Sequence, residues 1–204
     1  MYIIYMLKRN IPLIKGVFMK RIKILLSALF CLLVFVAAFA QDKAQTPASV
    51  KFADEEYFLV YSVQSANGQW LNEYLRKNDN NLNNYSKLIA VRYYEGSGLS
   101  PDQIALNMAS NLEKKHKTKA DLSKNSKTGA VTMTFMLASG EVTEINYFKL
   151  AQYKGHTISL QFVRRYNTAE SFKKDYEQLS QDLDKWNAAL AATPIPVPIK
   201  TIKK

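Results

Sequence analysis

One cysteine and two histidines are all that 204 residues offer of thiol and imidazole chemistry, and each scarcity removes a class of function. Cys31 has no second thiol to pair with, so no intrachain disulfide can form. His116 and His156 stand forty positions apart with no cysteine near either, so no ligand set has the spacing that zinc requires. There is no G-x-S-x-G elbow and no S-x-x-K motif, which leaves nucleophilic catalysis without a marker. Asp79-Asn80-Asn81-Leu82-Asn83-Asn84 imitates the start of a calcium loop, but Asn84 stands where glycine is needed and Ala90 where a bidentate glutamate is needed. The sequence therefore assigns no catalytic residue, no metal ligand and no cofactor.

Acidic charge is missing from the first forty residues, which hold six basic ones. Met19-Lys20-Arg21-Ile22-Lys23 is a basic start, and Ile24 to Ala40 is an apolar run broken only by Ser27. Ala38 and Ala40 then place small residues at alternate positions ahead of Gln41-Asp42. Those are the parts of a secretory signal: the run enters the bilayer, the positive end stays behind, and the small residues fit a peptidase. Residues 1–40 are expected to be this signal region, cleaved after Ala40, with the start at either Met1 or Met19. The alternative is a retained anchor, since about 17 residues is the lower limit for a span. Cys31 sits behind Leu29-Phe30 inside the run, which excludes a lipoprotein site. The expected location is periplasmic or secreted, with only transient contact with a membrane through the signal.

Cleavage would remove Cys31 and change the charge argument. It leaves 22 basic against 17 acidic residues, a net of +5 in place of +11. A mildly basic chain of this kind gives no reason to expect a nucleic-acid partner. About 160 residues bury enough core to fold without disulfides.

Residues 41–55 read as a flexible leader, residues 56–191 as a single domain, and residues 192–204 as a Pro-rich basic tail. Tyr57 to Val63 has strand composition, Asn67-Gly68 signals a hairpin, and Gln69 to Arg76 returns as a second strand. Leu88 to Tyr94 is a third. Ser100-Pro101-Asp102-Gln103 supplies a helix start, followed by the stripe Ile104, Met108, Leu112. Val131 to Leu137, Val142 to Tyr153 and His156 to Tyr166 form a meander; the inward face of the middle strand is not assignable. Asn167 to Glu170 offers a cap for a last helix of about six turns, with Phe172, Tyr176, Leu179, Leu183, Trp186 and Leu190 along one seam. The expected fold is α+β: a six-stranded, mostly antiparallel sheet packed with two amphipathic helices, in the order β-β-β-α-β-β-β-α.

Glu73-Tyr74-Leu75 and Asn84-Tyr85-Ser86-Lys87-Leu88-Ile89, together with this order, resemble the PsbP-like superfamily, which includes a photosystem II extrinsic subunit and a Ran-binding protein. The motif is similar to one in uncharacterised exported bacterial proteins. The resemblance implies a binding or assembly factor in place of an enzyme, and it carries no functional residue over.

Two surfaces could carry recognition. Lys114, Lys115, Lys117 and Lys119 make the densest positive cluster, suited either to an anionic surface or to a solvated helix end. If Leu71, Leu75, Ile89, Val91, Ile158, Leu160 and Phe162 face the helices, alternation puts Trp70, Tyr74, Arg92, Tyr94, Gln161 and Arg165 on the other side. Aromatic residues interleaved with arginine suit partner binding. The leading expectation is an exported, non-enzymatic domain recognising a protein or cell-envelope component, with its oligomeric state open. A secreted effector or interaction protein fits the same residues. A hydrolase of an envelope polymer is the alternative and would need Glu73, Glu141 or Glu144 to converge.

Overall fold

The computed structural model describes residues 47–196, apart from 66–67 and 80. The signal, its cleavage residues Ala38 and Ala40, the hairpin residue Asn67 and the last part of the tail lie outside these residues.

Eight strands form one antiparallel sheet: β1 (Ser49–Phe52), β2 (Glu55–Gln64), β3 (Trp70–Arg76), β4 (Lys87–Tyr94), β5 (Asp121–Lys124), β6 (Val131–Ser139), β7 (Val142–Tyr153) and β8 (His156–Tyr166). Their spatial order is β1-β2-β3-β4-β8-β7-β6-β5, so β4 and β8 join two meanders at the centre. The helices are α1 (Pro101–His116), α2 (Ala169–Asp175) and α3 (Leu179–Ala192). The six strands expected from sequence are present, and two short edge strands add to them. β1 falls in the segment expected to be a flexible leader. It buries Val50 and Phe52 and exposes Lys51, an alternation too brief to read in four residues. β5 is exposed at every position and shows no pattern at all.

The helices lie on opposite faces of the sheet. Tyr147 and Phe148 are successive residues of β7 and point to opposite sides. Trp186 of α3 meets Tyr147 edge-on at 5.7 Å and Phe162 of β8 at 5.2 Å. α1 packs Ile104, Ala105 and Leu112 onto Val131, Met133, Phe135, Phe148 and Leu150 from the other side. β7 is thus buried on both faces, which removes the alternation needed to assign its inward face from sequence.

α1 begins as its sequence predicts. Ser100 accepts from the Gln103 amide, Gln103 returns a bond to the Ser100 amide, and Pro101 fills the first turn where no amide partner is needed. The C-terminal helix differs from expectation. Its cap is Thr168 with Ser171, and it breaks at Tyr176–Gln178 into α2 and α3. Tight i→i+3 bonds from Tyr176 to Lys173 and from Leu179 to Tyr176 carry the break. The break divides the apolar seam between two tasks. Phe172 stacks edge-on against Tyr166 and Tyr176, while Leu179, Leu183, Trp186 and Leu190 go into the core.

Candidate functional site

Register decides which side chains share a face, since paired residues point the same way. Trp70 pairs with Tyr93, Leu71 with Arg92, Tyr74 with Ile89 and Leu75 with Leu88. Leu71 and Leu75 therefore lie on the face opposite to Ile89 and Val91, contrary to the grouping expected from sequence, because the register pairs them with Arg92 and Leu88. Trp70 and Tyr74 share the α3 face with Ile89 and Phe162 and are buried there, Tyr74 completely. Arg92, Tyr94, Gln161 and Arg165 fall together on the α1 face. Four of the six expected residues are thus brought together, and two belong to the core.

Two apolar clusters cover the ends of that face. Beside β6 and β7, α1 makes the first, with Tyr94 and Leu137 against it. Toward β3, the loop 77–86 lays Tyr85 and Leu82 on Leu71, Leu75, Leu88, Ala90 and Val163. Asp79 shapes this loop: it accepts from Arg76 Nε at 2.8 Å and from the Ser86 amide at 2.8 Å. Burial alone would raise the Asp79 carboxyl, yet these bonds outweigh it and hold it below its ordinary range. Asn81 Oδ1 accepts the amides of Asn83 and Asn84, and Asn84 Oδ1 accepts from Asn167, so these oxygens of the calcium-like stretch are engaged within the protein. Among the described residues, no three His, Cys, Asp or Glu side chains group to hold a metal.

Between the clusters runs a polar strip made of Glu73, Arg92, Gln161, Asn146 and Ser159. Gln161 is its pivot: its Oε1 accepts from Arg92 Nη1 at 2.5 Å, and its Nε2 donates to Asn146 Oδ1 at 2.8 Å. The Arg92 guanidinium lies 5.9 Å from the Phe148 ring centre. Among the described residues, Asn146 Nδ2 and Ser159 Oγ are buried without a hydrogen-bond partner. Glu73 is 5% exposed, and among the described residues its carboxylate makes no hydrogen bond. Burial pushes that carboxyl up, and the charge of Arg92 offsets only part of the rise. An acid buried without a hydrogen bond costs free energy, which sets this strip apart chemically from the apolar clusters on either side. Tyr61, paired across from Glu73 on β2, is half-buried beside it, and Tyr94, also half-buried, lies with the α1 cluster. Further out on β2, Phe58 and Val60 are 41% and 51% exposed, Val60 at a bulge.

Sequence reasoning passed over Glu73 as part of a surface. The signal was present: Leu71-x-Glu73-x-Leu75 sets an acid in the inward parity of an apolar alternation. Arg165 has a different role, pairing with Glu144 at 3.3 Å beside Tyr85, whose ring lies 5.1 Å from its guanidinium. Lys114, Lys115, Lys117 and Lys119 are all exposed, and Lys117 closes α1 in a left-handed conformation. The expected acid set does not converge. Glu73 and Glu144 are three strand spacings apart, about 14 Å across the sheet alone, too far for a two-carboxylate mechanism. Glu141 is exposed at the β6–β7 turn, and His156 packs against Tyr93 at 5.3 Å.

No curated protein matches the chain. A family model matches residues 44–195, from just ahead of β1 to past the end of α3. The chain belongs to that family, an uncharacterised bacterial-type one.

Proposed function

We propose that this chain is an exported, non-enzymatic binding or assembly domain that recognises a protein or envelope component on the α1 face of its sheet. The observation that carries the reading is Glu73: a buried carboxylate without a hydrogen bond, beside Arg92, on the stretch of sheet between α1 and the 77–86 loop. A partner that donates to this acid would relieve the cost of its burial, and Tyr61 across from it supplies contact area at low entropic cost. Exposed Phe58 and Val60 extend the surface with apolar area. Export rests on the basic start, the apolar run and Ala38-Phe39-Ala40. The PsbP-like reading rests on element order and on the two quoted segments, which supply Glu73 and Tyr85 to this face.

The test is affinity isolation from the native envelope fraction with the wild-type chain and with Glu73→Leu and Arg92→Met, each checked by circular dichroism. The reading requires a partner recovered by the folded wild type and depleted several-fold with either folded variant. Equal recovery by all three chains rejects it.

A further inference from the structure

On the opposite face of the sheet a second set of charged groups lines a half-open cavity of about 320 Å³. The β1–β2 turn, the start of β4, the end of β8 and α3 meet there, and Trp186 borders the space. Its ring packs against Phe162 and Tyr147. The volume is at the small end of what ligand clefts occupy.

The charges follow from the register. Lys87 and Arg164 are direct partners across β4 and β8, which sets two cations side by side. Like charges opposed in this way destabilise a sheet unless something answers them. Glu55 answers Lys87 with both oxygens, at 2.7 and 2.9 Å, and Asp175 answers Arg164 at 2.9 Å. Asp54, Asp182 and Lys185 also line the cavity, and among the described residues none of them forms an ion pair. The unspent lining charge is therefore of both signs. Ala53 and Asp54, which carry the chain around the wall, both have positive φ (48° and 66°) although neither is glycine. That conformation is costly for such residues and is commonly kept at functional sites.

We infer that this cavity binds a small zwitterion, a free amino acid or a short peptide whose ammonium and carboxylate are both unblocked. Asp54 and Asp182 receive the ammonium, Lys185 receives the carboxylate, and Trp186 packs the carbon skeleton. A purely anionic ligand would meet the two free carboxylates, and a purely cationic one would meet Lys185. Only a ligand of both signs satisfies the whole lining.

The test uses the full chain and the indole N–H signal of Trp186 in nitrogen-correlated NMR, assigned with Trp186→Phe. Alanine, alanyl-alanine, N-acetylalanine and alaninamide are titrated separately. Saturable movement with alanine or alanyl-alanine, and affinity at least about tenfold weaker with each blocked analogue, is the expected result, corresponding to 1.4 kcal/mol for each lost charge. Comparison of the first two probes tells a free amino acid from a peptide end. Lys185→Ala should abolish the preference over alaninamide, and Asp182→Asn the preference over N-acetylalanine. No movement with either unblocked probe overturns the inference, as does equal movement with all four or an unchanged preference in both variants.

Discussion

The Tyr85 hydroxyl donates to Glu144 Oε1 at 2.9 Å, joining the loop before β4 to β7 across the intervening β8. Arg165 reaches the same oxygen at 3.3 Å and lies over the Tyr85 ring. The loop is thereby fixed over one end of the polar strip, and the strip's width depends on that anchor.

Tyr85→Phe should therefore cost about 1.5 kcal/mol in urea unfolding, the usual worth of a hydrogen bond to a charged group. The ring remains, so the apolar cluster beneath the loop should survive. Hydrogen exchange should accelerate at Ser86, whose amide is bonded to Asp79 within the loop. A stability unchanged within error would show that the bond from Arg165 suffices alone.

Glu73 gives the molecule a pH dependence whose sign follows from burial. Its carboxyl is raised above the ordinary 4.5, so the folded state holds the proton more tightly than the unfolded chain does. Its contribution to stability is complete below 4.5 and is lost as pH rises through the higher folded-state value. Each unit of that rise corresponds to about 1.4 kcal/mol at neutral pH. Glu73→Gln removes the titration and should be the more stable protein at pH 7, with the difference vanishing near pH 4. Urea midpoints measured from pH 4 to 8 decide the point. Parallel curves for the two proteins would contradict it.

These two residues also show where sequence reasoning reaches. Elements specified by neighbours in the chain were readable: the Ser100 capping box, the β6–β7–β8 meander and the apolar seam after Thr168 all depend on spacings of a few residues. Register between β3 and β4 was not. It is set by the Asp79-centred loop, and a shift of one residue moves every side chain to the other face. Trp70 and Tyr74 consequently went to the core and Glu73 to the strip. β1 and β5, at four residues each, are too short for alternation to show, and β7 is covered on both sides. The break at Tyr176–Gln178 carries neither proline nor glycine, so no local residue announces it.

Lys149 closes α3 from the sheet. Its ammonium donates to the carbonyls of Ala191 at 2.7 Å and Thr193 at 3.0 Å, at a helix end with no basic residue of its own in the last turn. It thus satisfies carbonyls that lack helical partners and complements the negative end of the helix dipole. Lys149→Met keeps the stem and removes both bonds, and should cost about 1–2 kcal/mol. Exchange at Thr193 and Ala192 should quicken, while Leu183 and Trp186 remain protected. Uniform loss of protection along α3 would instead mean that Lys149 holds the whole helix down.

The turn at Ala53–Asp54 separates stability from binding. Both residues occupy the left-handed region in a two-residue hairpin loop, where asparagine followed by glycine is favoured. Ala53→Asn with Asp54→Gly relieves a steric cost of about 1–2 kcal/mol per residue, less about 1 kcal/mol for the added freedom of glycine in the unfolded chain. The double variant should thus unfold at a higher urea concentration than the parent. It also deletes one of the carboxylates assigned to the ammonium, so its affinity for alanyl-alanine should fall although the fold is firmer. A gain in stability with binding intact would mean that Asp54 is not a ligand-holding group and that the strain has another origin. A loss of stability would mean that the native pair makes contacts worth more than the strain, and the turn would then be a structural element alone.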